Sequence, residues 1–167
     1  SHPALEFLRD VQLPQTNESF SRAGVIRGLH FQWGPPMGKF IRTVHGRMVD
    51  IFLDVRLGSP TFGKVAMYEM ASPVDQPYGE WIWVPPGFAH GNFFSADTHI
   101  QYMCTEEWKP GSEGGVSPLA PDLDWSLCDP ALRAEFDALV AAGPVIADKD
   151  RNAPSLSEWQ GDPRAQN

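Results

Sequence analysis

Sixteen prolines and fifteen glycines punctuate this chain of 167 residues, and they cut most of it into segments too short for a helix of several turns. Proline fixes φ and removes a backbone donor, while glycine opens tight turns. A chain broken this often reads as many short strands, which is an all-β pattern. The clearest strand runs from Arg47 to Arg56. Val49, Ile51, Leu53 and Val55 fall on one face, and Met48, Asp50, Phe52 and Asp54 on the other. Period-two alternation of this kind predicts a strand buried on one side. Gly58-Ser59-Pro60 then turns the chain. Further strands are predicted over Gly24–Gln32, Lys39–Val44, Thr61–Met70, Glu80–Val84 and His99–Thr105, with a loop over Pro73–Gly79.

One segment breaks the pattern. Asp129-Pro130 offers an N-cap followed by proline at the first helical position. Leu132, Phe136, Leu139 and Val140 repeat at helical spacing, and Gly143-Pro144 ends the run. This predicts a short amphipathic helix over Pro130–Ala142, packed on the sheet. Asp148 to Asn167 reads as a polar tail. Many short strands with one late helix suit a sandwich or a barrel, and composition does not choose between them. The length suits one domain, with no internal repeat.

The formal net charge of −8 disfavours nucleic acid and anionic membranes as partners. An anionic substrate would need a local cluster of Arg and Lys. Cys104 and Cys128 are too few for a disulfide framework and read as reduced thiols of a cytoplasmic protein. No apolar run is long enough to cross a bilayer. The chain starts Ser1-His2 rather than with Met, which fits a tag remnant.

Four clusters carry candidate chemistry. In Arg27-Gly28-Leu29-His30-Phe31-Gln32, strand alternation puts Arg27 and Leu29 on one face and Gly28, His30 and Gln32 on the other. Histidine moves protons near neutral pH, although a lone strand histidine is more often a half-buried residue bonded to a carbonyl. Trp83 to Asn92 contains Pro-x-Gly-x-x-His, ending at His90, which is similar to the second cupin motif. There a tight turn feeds a histidine into a barrel mouth. Metal cupins add a His-x-His pair, but Phe31 and Gln32 follow His30, and His45 has no such partner either. A metal needs several convergent ligands, so none is expected. Lys39 and Arg42, with Asp50, Asp54 and Arg56 beyond, read first as solvated charge on a sheet face, as does Lys64. Tyr102 shares a strand face with Ile100 and Cys104, where a tyrosine is usually a core residue.

Together these motifs resemble the dTDP-4-dehydrorhamnose 3,5-epimerase family. The resemblance runs through Gln15-Thr-Asn17-Glu-Ser19, Gly24 to Gln32, Gly38-Lys39, Asp50 to Gly63, Trp83 to Gly91, Tyr102 to Pro110, Asp124-Trp125 and Lys149 to Pro154. It implies a double-stranded β-helix, the cupin or jelly-roll barrel, with a short C-terminal helix. It also implies a cofactor-free isomerase acting on a dTDP-linked 4-keto-6-deoxy sugar, in rhamnose or antibiotic-sugar biosynthesis. Protons at C3 and C5 lie next to the C4 ketone and can leave to give an enolate. His30 matches the family base and Asp150 its carboxylate partner. Lys39 matches the residue that stabilises the enolate, and Tyr102 the acid that returns a proton from the opposite face. Arg27 and His90 match residues near the sugar and diphosphate. Gln15 and Asn17 match substrate-contacting positions. The family further implies a homodimer.

The chain departs from the family at three places. The opening segment with an Asp-x-Arg-Gly-Phe-Phe-like motif, which contributes to the diphosphate site and to exchanged strands, is expected to be missing from the single cupin domain 1–167. Trp108 stands where the family usually has a tyrosine at the nucleotide base. The helix Pro130–Ala142 replaces a shorter link. Rival readings are a nucleotide-sugar 3,4-ketoisomerase, a non-catalytic sugar-binding cupin and a metal-dependent dioxygenase. The broken first cupin motif weighs against the last.

Overall fold

The computed structural model describes residues 3–72, 74 and 79–166. Among the described residues, ten strands and three α-helices run in the order β1 (Gln15–Ser21), β2 (Val25–Gln32), β3 (Lys39–His45), β4 (Arg47–Asp54), β5 (Val65–Ala71), β6 (Ile82–Val84), β7 (Phe88–Phe94), β8 (Thr98–Cys104), β9 (Glu113–Gly115), α1 (Pro130–Ala141), β10 (Val145–Ile146), α2 (Asp148–Arg151) and α3 (Leu156–Gln160). Of the loop expected over Pro73–Gly79, residues 73 and 75–78 lie outside the described residues.

The strands form two facing sheets. One has the order β1-β8-β3-β6, the other β10-β2-β7-β4-β5, with β9 also on β2. The chain crosses repeatedly from one sheet to the other, which is the double-stranded β-helix expected from the motifs. Ile41, Val84 and Ile100 of the smaller sheet meet Met48, Met70 and Phe94 of the larger one in an apolar layer between the sheets.

The larger sheet has a second covered face. Val49, Ile51, Leu53 and Phe93 pack there with Phe136 of α1 and with Leu156 and Trp159 of α3. This corrects the expectation that the Arg47–Arg56 strand is buried on one side. Both faces of β4 are buried, because the C-terminal helices cover what would otherwise face water. Asp50 and Asp54 are almost fully buried too, so they are not solvated charges. Asp54 accepts bonds from Arg56 Nη2 (2.7 Å), Ser59 Oγ (2.6 Å) and Thr61 Oγ1 (2.6 Å). Burial alone raises a carboxyl pKa, but these donors outweigh it and hold Asp54 well below the usual carboxylate range.

Helix α1 forms where its caps predict. The Asp129 side chain accepts from the Ala131 N–H at 2.7 Å, and Gly143 follows the helix with φ +84. Arg47 of β4 grips Glu135 through both terminal nitrogens, at 2.6 and 2.9 Å, and so ties the helix to the sheet. The polar-tail reading of Asp148–Asn167 is overturned. Ser155 and Glu158 make a reciprocal capping box, and this starts α3. Leu156 and Trp159, three residues apart, then bury one side of that helix. Asp122 accepts from Leu156 N, Ser157 N and Ser157 Oγ, fixing the helix start.

Candidate active site

Between the sheets, at one end, lies a cavity of about 540 Å³. The strand register explains how chemistry reaches it. Arg27 pairs with Asn92 and His30 with His90, so three steps on β2 oppose two on β7. That extra residue is a bulge, and it re-aims side chains. Arg27 and His30 therefore share the cavity face, while Leu29 points away into the covered core. The predicted pairing of Arg27 with Leu29 is thus wrong, because strict alternation does not survive a bulge. The two backbones also come close here. A Cβ on Gly28 would lie 2.5 Å from Gly91 Cα and 2.8 Å from the His90 carbonyl, so glycine is required.

At its outer edge β2 meets β10 at Val25–Ile26 and β9 at His30–Gln32. Helix α2 sits between those contacts and presents Asp150. Its Oδ1 lies 2.7 Å from His30 Nε2, and its Oδ2 accepts from the Gly28 N–H at 3.0 Å. Asp150 is 3% exposed. Burial raises its pKa, but the bonds from His30 and Gly28 prevail and hold it below the ordinary value. It is therefore an ionised acceptor at neutral pH. That assigns the proton to His30 Nε2 and leaves the Nδ1 lone pair available as a base.

The smaller sheet supplies the other wall. Lys39 and Tyr102 project inward from β3 and β8, whose register pairs Lys39 with Cys104 and Ile41 with Tyr102. Lys39 makes no ion pair among the described residues. Burial lowers its pKa, while the charges around it, including Glu113 and Asp50, pull the other way. The Tyr102 hydroxyl makes no side-chain hydrogen bond among the described residues. Burial raises its pKa, so the phenol keeps its proton at neutral pH.

His90 also faces the cavity, with its Nε2 2.9 Å from Asp50 Oδ1. Arg27 is anchored through Nε to Ser21 Oγ at 2.8 Å. Six of the nine predicted site residues thus line one cavity: His30, Asp150, Lys39, Tyr102, Arg27 and His90. Gln15, Asn17 and Trp108 do not. They form a neighbouring chain in which Gln15 Nε2 donates to Asn17 Oδ1 at 3.1 Å and the Trp108 N–H donates to Gln15 Oε1 at 2.7 Å. The Trp108 ring is largely exposed. Ser19, Asn92, Glu113 and Lys149 line the cavity as well and were not singled out from the sequence. Asp50 had a usable signal. It lies on the β4 face that also carries Met48 and Phe52, opposite Asn92 in register. Among the described residues no group of three or more His, Cys, Asp or Glu is placed to hold a metal.

Comparison with known proteins gives the family. The family model for dTDP-4-dehydrorhamnose 3,5-epimerase matches residues 4–158. The chain belongs to this family. It is an epimerase, and the family, enzyme class and fold expected from the motifs are all borne out. The dTDP-4-dehydrorhamnose 3,5-epimerase of Sinorhizobium fredii is 40% identical over 152 residues, covering 89% of this chain and 70% of that relative. The dTDP-6-deoxy-D-glucose-3,5-epimerase of Legionella pneumophila, solved with dTDP-4-keto-L-rhamnose, has a TM-score of 0.74 at 31% identity, covering 94% of this chain and 77% of its own. A 3'-monoepimerase from Streptomyces bikiniensis, solved with dTDP-quinovose, has a TM-score of 0.75 at 29% identity, covering 91% and 71%. Among the described residues of this epimerase no helix is long and apolar enough to cross a membrane.

Proposed function

We propose that this epimerase acts on a dTDP-linked 4-keto-6-deoxy sugar and inverts C3, C5 or both through an enolate. The observation that carries the reading is the placement of His30 and Tyr102 on opposite sheets, facing one cavity. Inversion needs proton removal on one face of the carbon and delivery on the other. His30 Nδ1 takes the proton α to the ketone. Asp150 holds the ring and stabilises the imidazolium that forms. Negative charge then develops on the ketone oxygen, where the unpaired Lys39 supplies a preorganised cation. Tyr102 returns a proton from the other side. Arg27 and His90 contact the sugar and diphosphate, and Gln15 and Asn17 hold the polar end of the substrate. The chemistry asks for no cofactor. A non-catalytic binder would have no use for a histidine and carboxylate pair facing a protonated phenol.

Product analysis tests the reading. Incubation with dTDP-4-keto-6-deoxyglucose is expected to give a 4-keto sugar inverted at C3, C5 or both, seen by NMR. A 3-keto product would establish the ketoisomerase instead. An unchanged sugar that nevertheless binds would establish the binder.

The exposed Trp108 is the proposed platform for the nucleotide base. Stacking on an aromatic ring contributes on the order of 1–3 kcal/mol. Trp108→Ala is therefore expected to raise KM roughly tenfold or more with kcat nearly unchanged, because the base lies far from the reacting carbons. Loss of kcat with unchanged KM would place Trp108 at the chemistry.

We further read the whole chain as one cytoplasmic cupin domain that works as a homodimer. The outer face of the smaller sheet supports this, with Phe40 stacked on Trp81 at 4.7 Å and Phe20 exposed on the edge strand. Light scattering at micromolar concentration is expected to give the mass of two chains, and a one-chain mass would reject the dimer.

A further inference from the structure

We infer that Ser117 is a positioning residue for the His30–Asp150 pair, acting through the short helix that carries Asp150. The inference rests on the epimerase mechanism proposed above, and it starts from a weakness in the fold. Helix α2 has four residues, and its N-cap, Ala147, makes no side-chain cap bond. A helix this short does not hold itself together or fix its own direction. Whatever grips it decides where the Asp150 carboxylate points.

Its N-terminal side is held by β10, whose Val145 N–H donates to the Gly24 carbonyl at 2.9 Å. Its C-terminal side is held by Ser117. Ser117 Oγ donates to the Arg151 carbonyl at 3.1 Å, and the Ser117 N–H donates to the Pro154 carbonyl at 2.9 Å. The Ser117 hydroxyl also accepts from Leu119 N at 3.3 Å, and its carbonyl accepts from Ala120 N at 3.0 Å, so all of its polar groups are engaged. Ser117 is 5% exposed. Buried bonds of this kind are costly to leave unmade.

The neighbouring residue completes the bracket. Val116 and Leu29 exchange both backbone hydrogen bonds, each at 3.0 Å. Leu29 directly precedes His30. The dipeptide Val116-Ser117 therefore holds the strand of the base with one residue and the helix of its carboxylate with the next. It sets the spacing between the two partners although it touches neither ring nor carboxylate.

Ser117→Ala tests this, because it keeps the backbone clamp to Pro154 and removes the hydroxyl with its bonds to the Arg151 carbonyl and the Leu119 N–H. Wild-type α-proton exchange is measured first; if there is none, the proposed mechanism fails before Ser117 is reached. Given exchange, the variant is expected to lose about tenfold in kcat with little change in KM, the scale on which groups that orient a catalytic ligand act. Ser117→Thr, which keeps the hydroxyl, should restore most of the rate. In an Asp150→Asn background Ser117→Ala should cost nothing further. A readout independent of turnover is the downfield ring N–H resonance of His30, which should weaken or shift in Ser117→Ala. Arg47→Ala, which unties α1 from β4 and touches neither Ser117 nor Asp150, should lower Tm and leave that resonance in place. An unmoved resonance in Ser117→Ala, or a full additional loss on top of Asp150→Asn, would overturn the inference.

Discussion

Replacing His30 by alanine is expected to lower substrate α-proton exchange by about 10²–10⁴-fold, the usual contribution of a positioned general base. The expectation follows from one geometric fact. Ionised Asp150 accepts from His30 Nε2 at 2.7 Å, which leaves Nδ1 as the ring nitrogen with a free lone pair, and His30 lines the cavity. Fold loss is an inadequate explanation for such a drop. The His30 side chain is about a quarter exposed, and the strand around it is held by Leu29 and Phe31, which are buried in the core. Circular dichroism and Tm should therefore stay near wild type. Binding of the nucleotide sugar should also survive, since Arg27, His90 and Lys39 remain. Undiminished exchange in the mutant would remove His30 from the chemistry and return it to the role of a half-buried strand residue.

Tyr102→Phe is expected to separate exchange from inversion. In the proposed mechanism His30 forms the enolate without help from the phenol, and in heavy water its proton washes out. Deuterium can then return from the same face, which gives exchange without a new configuration. Inversion needs delivery from the opposite sheet, and the buried phenol there keeps its proton at neutral pH. Removing a positioned acid typically costs about 10²–10⁴-fold. Phenylalanine keeps the packing that Tyr102 makes against the layer between the sheets. The mutant should thus incorporate deuterium at C3 or C5 and form little inverted product. Inversion at the wild-type rate would give the acid's role to another group or to water. Loss of both signals in a folded mutant would place Tyr102 in enolate formation.

The parts of the fold legible in the sequence are those set by local rules. Alternation from Met48 to Val55 marked β4, and the caps at Asp129, Pro130 and Gly143 marked α1. What was not legible depends on distant partners. Both faces of β4 are buried only because α1 and α3 return to cover it. The helices α2 and α3 read as a polar tail because each is a turn or so long, and they stand on Ser117 and Asp122 rather than on their own periodicity. Ser155 and Glu158, with Leu156 and Trp159 at helical spacing, were the overlooked signal. The Phe88–Phe94 strand was hidden behind its own opening turn. Within the site, the motif resemblance singled out His30, Asp150, Lys39 and Tyr102, which the fold gathers from four elements. The bulge that sends Arg27 toward the cavity left no trace in the alternation pattern. Glu113 and Asn92 were missed because only the register between strands turns them inward.

The most direct test of the account is wild-type protein with dTDP-4-keto-6-deoxyglucose in heavy water, with the C3 and C5 protons followed by NMR. The account predicts that at least one of these resonances disappears by exchange, that a matching inverted product accumulates, and that the C1 and C2 protons stay in place. A sugar that binds but keeps both α-protons over many hours would contradict enolate formation in this cavity.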